Sequence, residues 1–183
     1  LRSPPRIKPT IMLKAGRHEA GAATTAMHSG MAAVSDTVFD AAVRRAGVVR
    51  VQNVGQLFYA AKALASKFRP LGNRLAIITN GGGPGAMAAD RAGDIGIPLA
   101  ELSNETMAVL NKALPTNWSH ANPIDIGGDA TPERYREAIM AVTHDPNVDS
   151  TLVMLSPQAM TDPLAVAQAI IEVADKLNRS LIC

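Results

Sequence analysis

The sequence predicts an α/β fold built on parallel sheets. Three observations carry this: short apolar runs of strand length alternate with longer segments of helical periodicity, glycine or proline closes most segments, and consecutive glycines at 81–83 join a strand to a helix. Such alternation produces a doubly wound sheet, whose ligands gather at the carboxyl ends of the strands.

The elements follow in order. Residues 9–14 form an apolar run of strand length, and the small-residue stretch 15–34, weakly periodic, reads as a loop. Ser35 or Asp36 caps a helix to about Ala46, with Val38, Phe39, Ala42 and Val43 on one face and Gly47 as its stop. Residues 48–51 are a strand. Asn53 caps the next helix, where Leu57, Phe58, Ala61, Leu64 and Ala65 share a face, and residues 69–73 break it. Residues 75–79 form a buried-type strand, 80–85 a turn, 86–95 a helix and 97–102 a further strand. Ser103 caps a helix that ends before Pro115; a short strand at 124–126 precedes a helix opened by Thr131-Pro132-Glu133 and closed near Asp145-Pro146. A strand at 151–155, a helix from Asp162-Pro163 to about Leu177 and a strand starting at Leu181-Ile182 complete the pattern.

Composition limits the function. The 183 residues allow one large domain or two small ones, and 47% apolar with 19% charged residues excludes disordered, collagenous and coiled-coil chains. With only 3% aromatics, base stacking on aromatic platforms is excluded, so no nucleic-acid partner is expected. A single cysteine, Cys183, rules out an intrachain disulfide and any cysteine-built metal cluster, which favours a reducing compartment. No run approaches the ~18 apolar residues of a membrane span and no signal-peptide core opens the chain, so a soluble, cytoplasmic protein is expected. The chain starts at Leu1 and stops where a strand begins, as an excised piece of a longer protein would. Residues 1–73 hold 11 Lys/Arg against 3 Asp/Glu, whereas residues 74–183 hold 7 against 13. That asymmetry suits a phosphorylated small ligand or two regions packed by charge.

The strongest chemical signal is Asn80-Gly81-Gly82-Gly83-Pro84-Gly85. A strand passes into a helix through residues without side chains, so main-chain N–H groups and the helix dipole are open to phosphate or sulfate. The run is neither a Walker A loop nor a clean dinucleotide fingerprint; read structurally, it is a tight turn. Residues 122–129 also end a strand before a helix: Asp129 and the glycines border the same site, or Asp125 turns the chain. His18, His120 and His144 read as solvated, and the eight methionines as core. His28, followed by Ser29 and Gly30, sits among small residues after a strand, where an imidazole is either a mobile nucleophile or a surface histidine.

Together these residues resemble the NDP-forming acyl-CoA synthetases, the superfamily that includes succinyl-CoA synthetase. Residues 8–17, the Met27-His28-Ser29-Gly30 stretch, Ser35-Asp36 and Ala46-Gly47-Val48 look like the end of the ligase domain that carries a phosphorylated histidine. Residues 79–85, 122–129 and 156–163 look like the second ligase domain. The resemblance implies two flavodoxin-like parallel-sheet units, the first truncated: residues 1–70 carry the candidate phosphohistidine loop and residues 71–183 a second CoA-ligase domain, cut at its C-terminus. It implies that His28 shuttles a phosphoryl group and that Asn80, Gly81, Gly82, Gly83 and Gly85 hold it, with Ser29, Gly30 and Asp129 at the border of the site. It further implies CoA and ATP or ADP with Mg in the parent enzyme, CoA-binding and ATP-grasp domains as partners, and acyl-CoA as a ligand. An open sheet edge would permit a homodimer.

The family loop commonly reads Ser-His-Thr-Gly-Ala-Leu-Ala-Gly, whereas this chain has Met27 before the histidine and Val34 at the final glycine. A related branch joins such domains to a Gcn5-type lysine acetyltransferase as an acyl-CoA sensor, often without the histidine. Retention of His28 favours the enzyme over that sensor and over an unrelated phosphate-binding α/β domain.

Overall fold

A computed structural model describes residues 8–30, 34–65, 70–177 and 181–183. Residues 31–33 of the small-residue stretch, Arg69 at the predicted break and the side chain of Ser29 lie outside the described residues. The chain divides into two units, residues 1–67 and 68–183.

In the first unit β1 (Ile11–Leu13) and β2 (Val49–Val51) pair in parallel, with Met12 beside Arg50. Helices α1 (Glu19–Ser29), α2 (Asp36–Arg45) and α3 (Val54–Ala65) accompany them. The predicted loop at 15–34 is therefore largely a helix. Its alanines, at 20, 22, 23 and 26, supply helix propensity without any apolar periodicity, which is why pattern alone missed it. The faces also differ from expectation. On α2, Val43 is buried and Phe39 half-buried, whereas Val38 and Ala42 are exposed. On α3, Leu57, Ala60 and Leu64 turn inward, and Phe58, Ala61 and Ala65 face outward.

Phe39 lies between two cations, with Lys14 Nζ 5.5 Å and Arg50 Cζ 5.3 Å from its ring centre. Arg50 also bonds Asp36 at 2.6 Å and Asp40 at 2.9 Å, and these contacts hold both carboxyls below their usual range against the opposing effect of burial. Two of the eleven cations counted in residues 1–73, Lys14 and Arg50, are thus structural. Asn53 caps α3 by accepting from Gln56 N–H, and Gln56 returns a bond from Gln52 N–H.

The second unit is a four-stranded parallel sheet in the order β4 (Ile124–Asp125), β3 (Leu75–Thr79), β5 (Ser150–Met154), β6 (Leu181–Ile182). Helices α4 (Gly82–Asp94), α5 (Asn104–Ala113), α6 (Pro132–Thr143) and α7 (Pro163–Ala174) join the strands. In this unit the predicted N-caps form: Ser103 accepts from Thr106 N–H, Thr131 from Arg134 N–H, and Asp162 from Leu164 and Ala165 N–H, whereas Ser35 in the first unit stands at the N-cap without a side-chain capping bond. Ile77, Ile78, Leu110, Ile124, Ile126, Tyr135, Ile139, Val142 and Val166 are fully buried. Tyr135 Oη donates to Met154 O at 3.0 Å. Of the methionines expected in the core, Met27, Met87, Met140 and Met160 are exposed, whereas Met107 packs against the core.

The predicted strand at 97–102 reduces to a single bridge between Leu99 and Leu75. Pro98 has no N–H to continue a ladder, and Asn122 takes the vacant position. Its Oδ1 accepts Ile77 N–H at 3.0 Å, and its Nδ2 donates to Leu75 O at 2.8 Å and Ala100 O at 2.9 Å. One edge of β3 is therefore completed in turn by Leu99, the Asn122 side chain and β4.

Candidate functional site

The carboxyl end of β3 opens directly into α4, which starts at Gly82, four residues before the predicted start. The glycines lie in the first helical turn, not in a turn ahead of it. Gly81 is the N-cap and no side chain caps the helix there. As the first two helical residues, Gly82 and Gly83 have N–H groups with no carbonyl partner within the helix, and Pro84 has no N–H. A Cβ on Gly83 would meet nothing within 4 Å, so that side of the turn is open.

Not all of the predicted phosphate-holding residues keep a free donor. Gly81 N–H bonds Thr79 Oγ1 at 3.1 Å, and Gly85 N–H bonds Gly81 O at 3.1 Å. Gly85 serves packing: a Cβ there would stand 2.8 Å from Thr79 Cγ2, which is fully buried. Asn80 is 1% exposed and both ends of its amide are engaged, with Nδ2 donating to Ser156 O at 2.8 Å and Oδ1 accepting Ser156 N–H at 2.7 Å. Its side chain therefore positions the turn by tying the ends of β3 and β5 together. Of these five residues, Gly82 and Gly83 are the ones whose N–H groups have no partner among the described residues.

The loop after β4 forms the other rim. Asp125 Oδ1 accepts Gly127 N–H at 3.0 Å, and Gly127 has φ 89°, a conformation that glycine adopts without strain. Asp129 is held by Arg134, whose Nη1 lies 2.7 Å from Asp129 Oδ1 and 2.9 Å from Ile126 O. That contact lowers the Asp129 carboxyl and fixes the loop. Gln158, after β5, donates to Asn80 O at 3.1 Å, and its side chain covers Gly128. Sequence reasoning missed Arg134 and Gln158, although both stand beside strand ends, where a parallel sheet gathers its ligands.

His28, Ser29 and Gly30 lie in the first unit. His28 is exposed in the last turn of α1, not in a loop, and Gly30 closes the helix in the left-handed conformation with φ 67°. Among the described residues no group of three or more His, Cys, Asp or Glu could hold a metal ion, and no helix is long and apolar enough to cross a membrane.

The fold defines a parallel α/β protein of the flavodoxin-like class. Two family profiles match it: the succinyl-CoA ligase like flavodoxin domain over residues 1–64 and the Ligase-CoA domain over residues 75–182. The chain therefore belongs to the CoA-ligase family, and the resemblance to NDP-forming acyl-CoA synthetases holds. It is 41% identical over 166 residues to an acetate–CoA ligase (ADP-forming) I of Archaeoglobus fulgidus, covering 91% of this chain and 24% of the relative. Identity is 37% over 172 residues to the alpha subunit of acetate–CoA ligase (ADP-forming) I of Pyrococcus furiosus, covering 94% of this chain and 37% of the relative. Among solved structures, dinucleotide forming acetyl-coenzyme A synthetase 1 of Ca. Korarchaeum cryptofilum, in complex with phosphate and ADP, superposes with a TM-score of 0.88. That match has 35% identity and covers 95% of this chain and 38% of the other. The chain thus spans 24% to 38% of the length of these proteins.

Proposed function

We propose that the chain is the phosphoryl-relay part of an NDP-forming acyl-CoA synthetase, an acid–thiol ligase that interconverts acyl-CoA, NDP and phosphate with carboxylic acid, CoA and NTP. The observation that supports this most is the uncapped glycine helix, whose Gly82 and Gly83 N–H groups are unpaired at the carboxyl edge of a CoA-ligase fold. The named relatives are CoA ligases, which favours this reading over the acetyltransferase-linked sensor.

In this reading residues 1–70 end one ligase domain and residues 71–183 belong to a second. A ring nitrogen of His28 attacks the terminal phosphorus of NTP, an N–P bond forms, and NDP leaves. The carboxylate of the acid substrate then takes the phosphoryl group as acyl phosphate and the imidazole is regained. CoA thiolate displaces phosphate to give the thioester. Gly82 and Gly83 hold the phosphoryl group by hydrogen bonds and helix dipole. In this reading nucleotide, Mg and CoA belong to ATP-grasp and CoA-binding partner domains. The setting is cytoplasmic, and the open edges of the small sheet permit a homodimer.

The test is phosphoryl transfer in the parent protein. With γ-³²P ATP it should acquire an acid-labile, base-stable label that CoA and the right carboxylic acid discharge, and His28→Ala should acquire none. No label across a panel of nucleotides and acyl-CoAs would overturn the reading.

A further inference from the structure

Asp125 ends β4 with its Cα paired to Thr79, just ahead of the glycine helix. Its Oδ1 is committed to Gly127 N–H at 3.0 Å. Its Oδ2 points elsewhere, to within 3.1 Å of the position a Cβ on Gly82 would occupy. The carboxylate therefore faces the first turn of α4, and only the absence of a side chain at residue 82 gives it that approach. No ion pair neutralises it among the described residues, and Arg134 is engaged by Asp129 and Ile126 O.

A negative group at the start of a helix with two unpaired N–H groups is favourable for the resting fold. It is also a like charge to any phosphoryl group that enters. We propose that Asp125 is a resident counter-anion of the glycine helix, which lowers its affinity for phosphoryl ligands so that they are passed on and not trapped. The inference rests on the reading that Gly82 and Gly83 cradle a phosphoryl group. Tight binding at that point would slow every transfer that follows, since a group bound equally well before and after a step gains nothing in rate.

The experiment is calorimetric titration of the 183-residue chain with inorganic phosphate. Asp125→Asn keeps an oxygen for Gly127 N–H and removes the charge, so it should bind phosphate about tenfold more tightly than the wild type, the order of effect expected for one nearby like charge. Asp125→Ser gives a second charge-free variant to be read in the same way if the first does not fold. Gly83→Asp adds a carboxylate in open space at the same helix end and should abolish binding. Equal or weaker binding by the charge-free variants, with binding still lost in Gly83→Asp, overturns the role of Asp125 and leaves the cradle standing. No phosphate binding by either the wild type or the charge-free variants overturns the cradle and the inference together.

Discussion

Asn80 and Ser156 exchange two hydrogen bonds: the Asn80 amide donates to Ser156 O at 2.8 Å and accepts Ser156 N–H at 2.7 Å. A buried side chain thereby acts as one rung of main-chain pairing beyond the ends of β3 and β5. Asn80→Ala leaves the half-buried Ser156 N–H and carbonyl without these partners. The expected cost is about 2–4 kcal/mol, read as a lower urea midpoint at unchanged slope.

Gly83 and Gly85 lie two residues apart in the same helical turn and should respond oppositely to alanine. A methyl at Gly83 enters open space and should stabilise the chain by about 0.5–1 kcal/mol through helix propensity. At Gly85 it meets Thr79 at 2.8 Å and should cost about 1–3 kcal/mol through overpacking. Thermal melting of the two variants checks both signs.

Asp145 supplies a pH dependence. Burial pushes its carboxyl up, but N–H groups of Asn147 and Ser103, with the Thr106 and Ser103 hydroxyls, outweigh this and leave it below the ordinary value of 3.8. Because the folded value is the lower one, the stabilisation is fully present above about pH 4 and is lost as pH falls through the folded value. Asp145→Asn should lower stability at pH 7 and flatten the acid limb of a plot of urea midpoint against pH.

His28→Ala should leave the fold unchanged. The side chain is exposed in the last turn of α1, and alanine is the stronger helix former. The melting temperature of the chain should shift by no more than the equivalent of about 0.5 kcal/mol. A larger loss would give His28 a structural task.

The strands, the capped helices and the glycine run were legible because each rests on neighbours in sequence. Ser103, Thr131 and Asp162 cap their helices within three residues of themselves, so their function can be read locally. The helix at Glu19–Ser29 was not legible, since its alanines favour helix without marking a buried face. Nor was the loss of the strand at 97–102, because the Asn122 side chain that completes that edge of β3 comes 22 residues after Ala100.

By itself the sequence determined the alternating fold class, the family and the presence of a glycine run between a strand and a helix, all of which follow from residue type and spacing. Tertiary structure alone decided what surrounds those glycines. Asn80 is tied to Ser156, 76 residues along the chain, and Asp125 is brought from 43 residues along the chain to face Gly82. Hydrogen bonds form between groups that the sheet brings within about 3 Å, and the spacing of residues along the chain does not record which strands lie side by side.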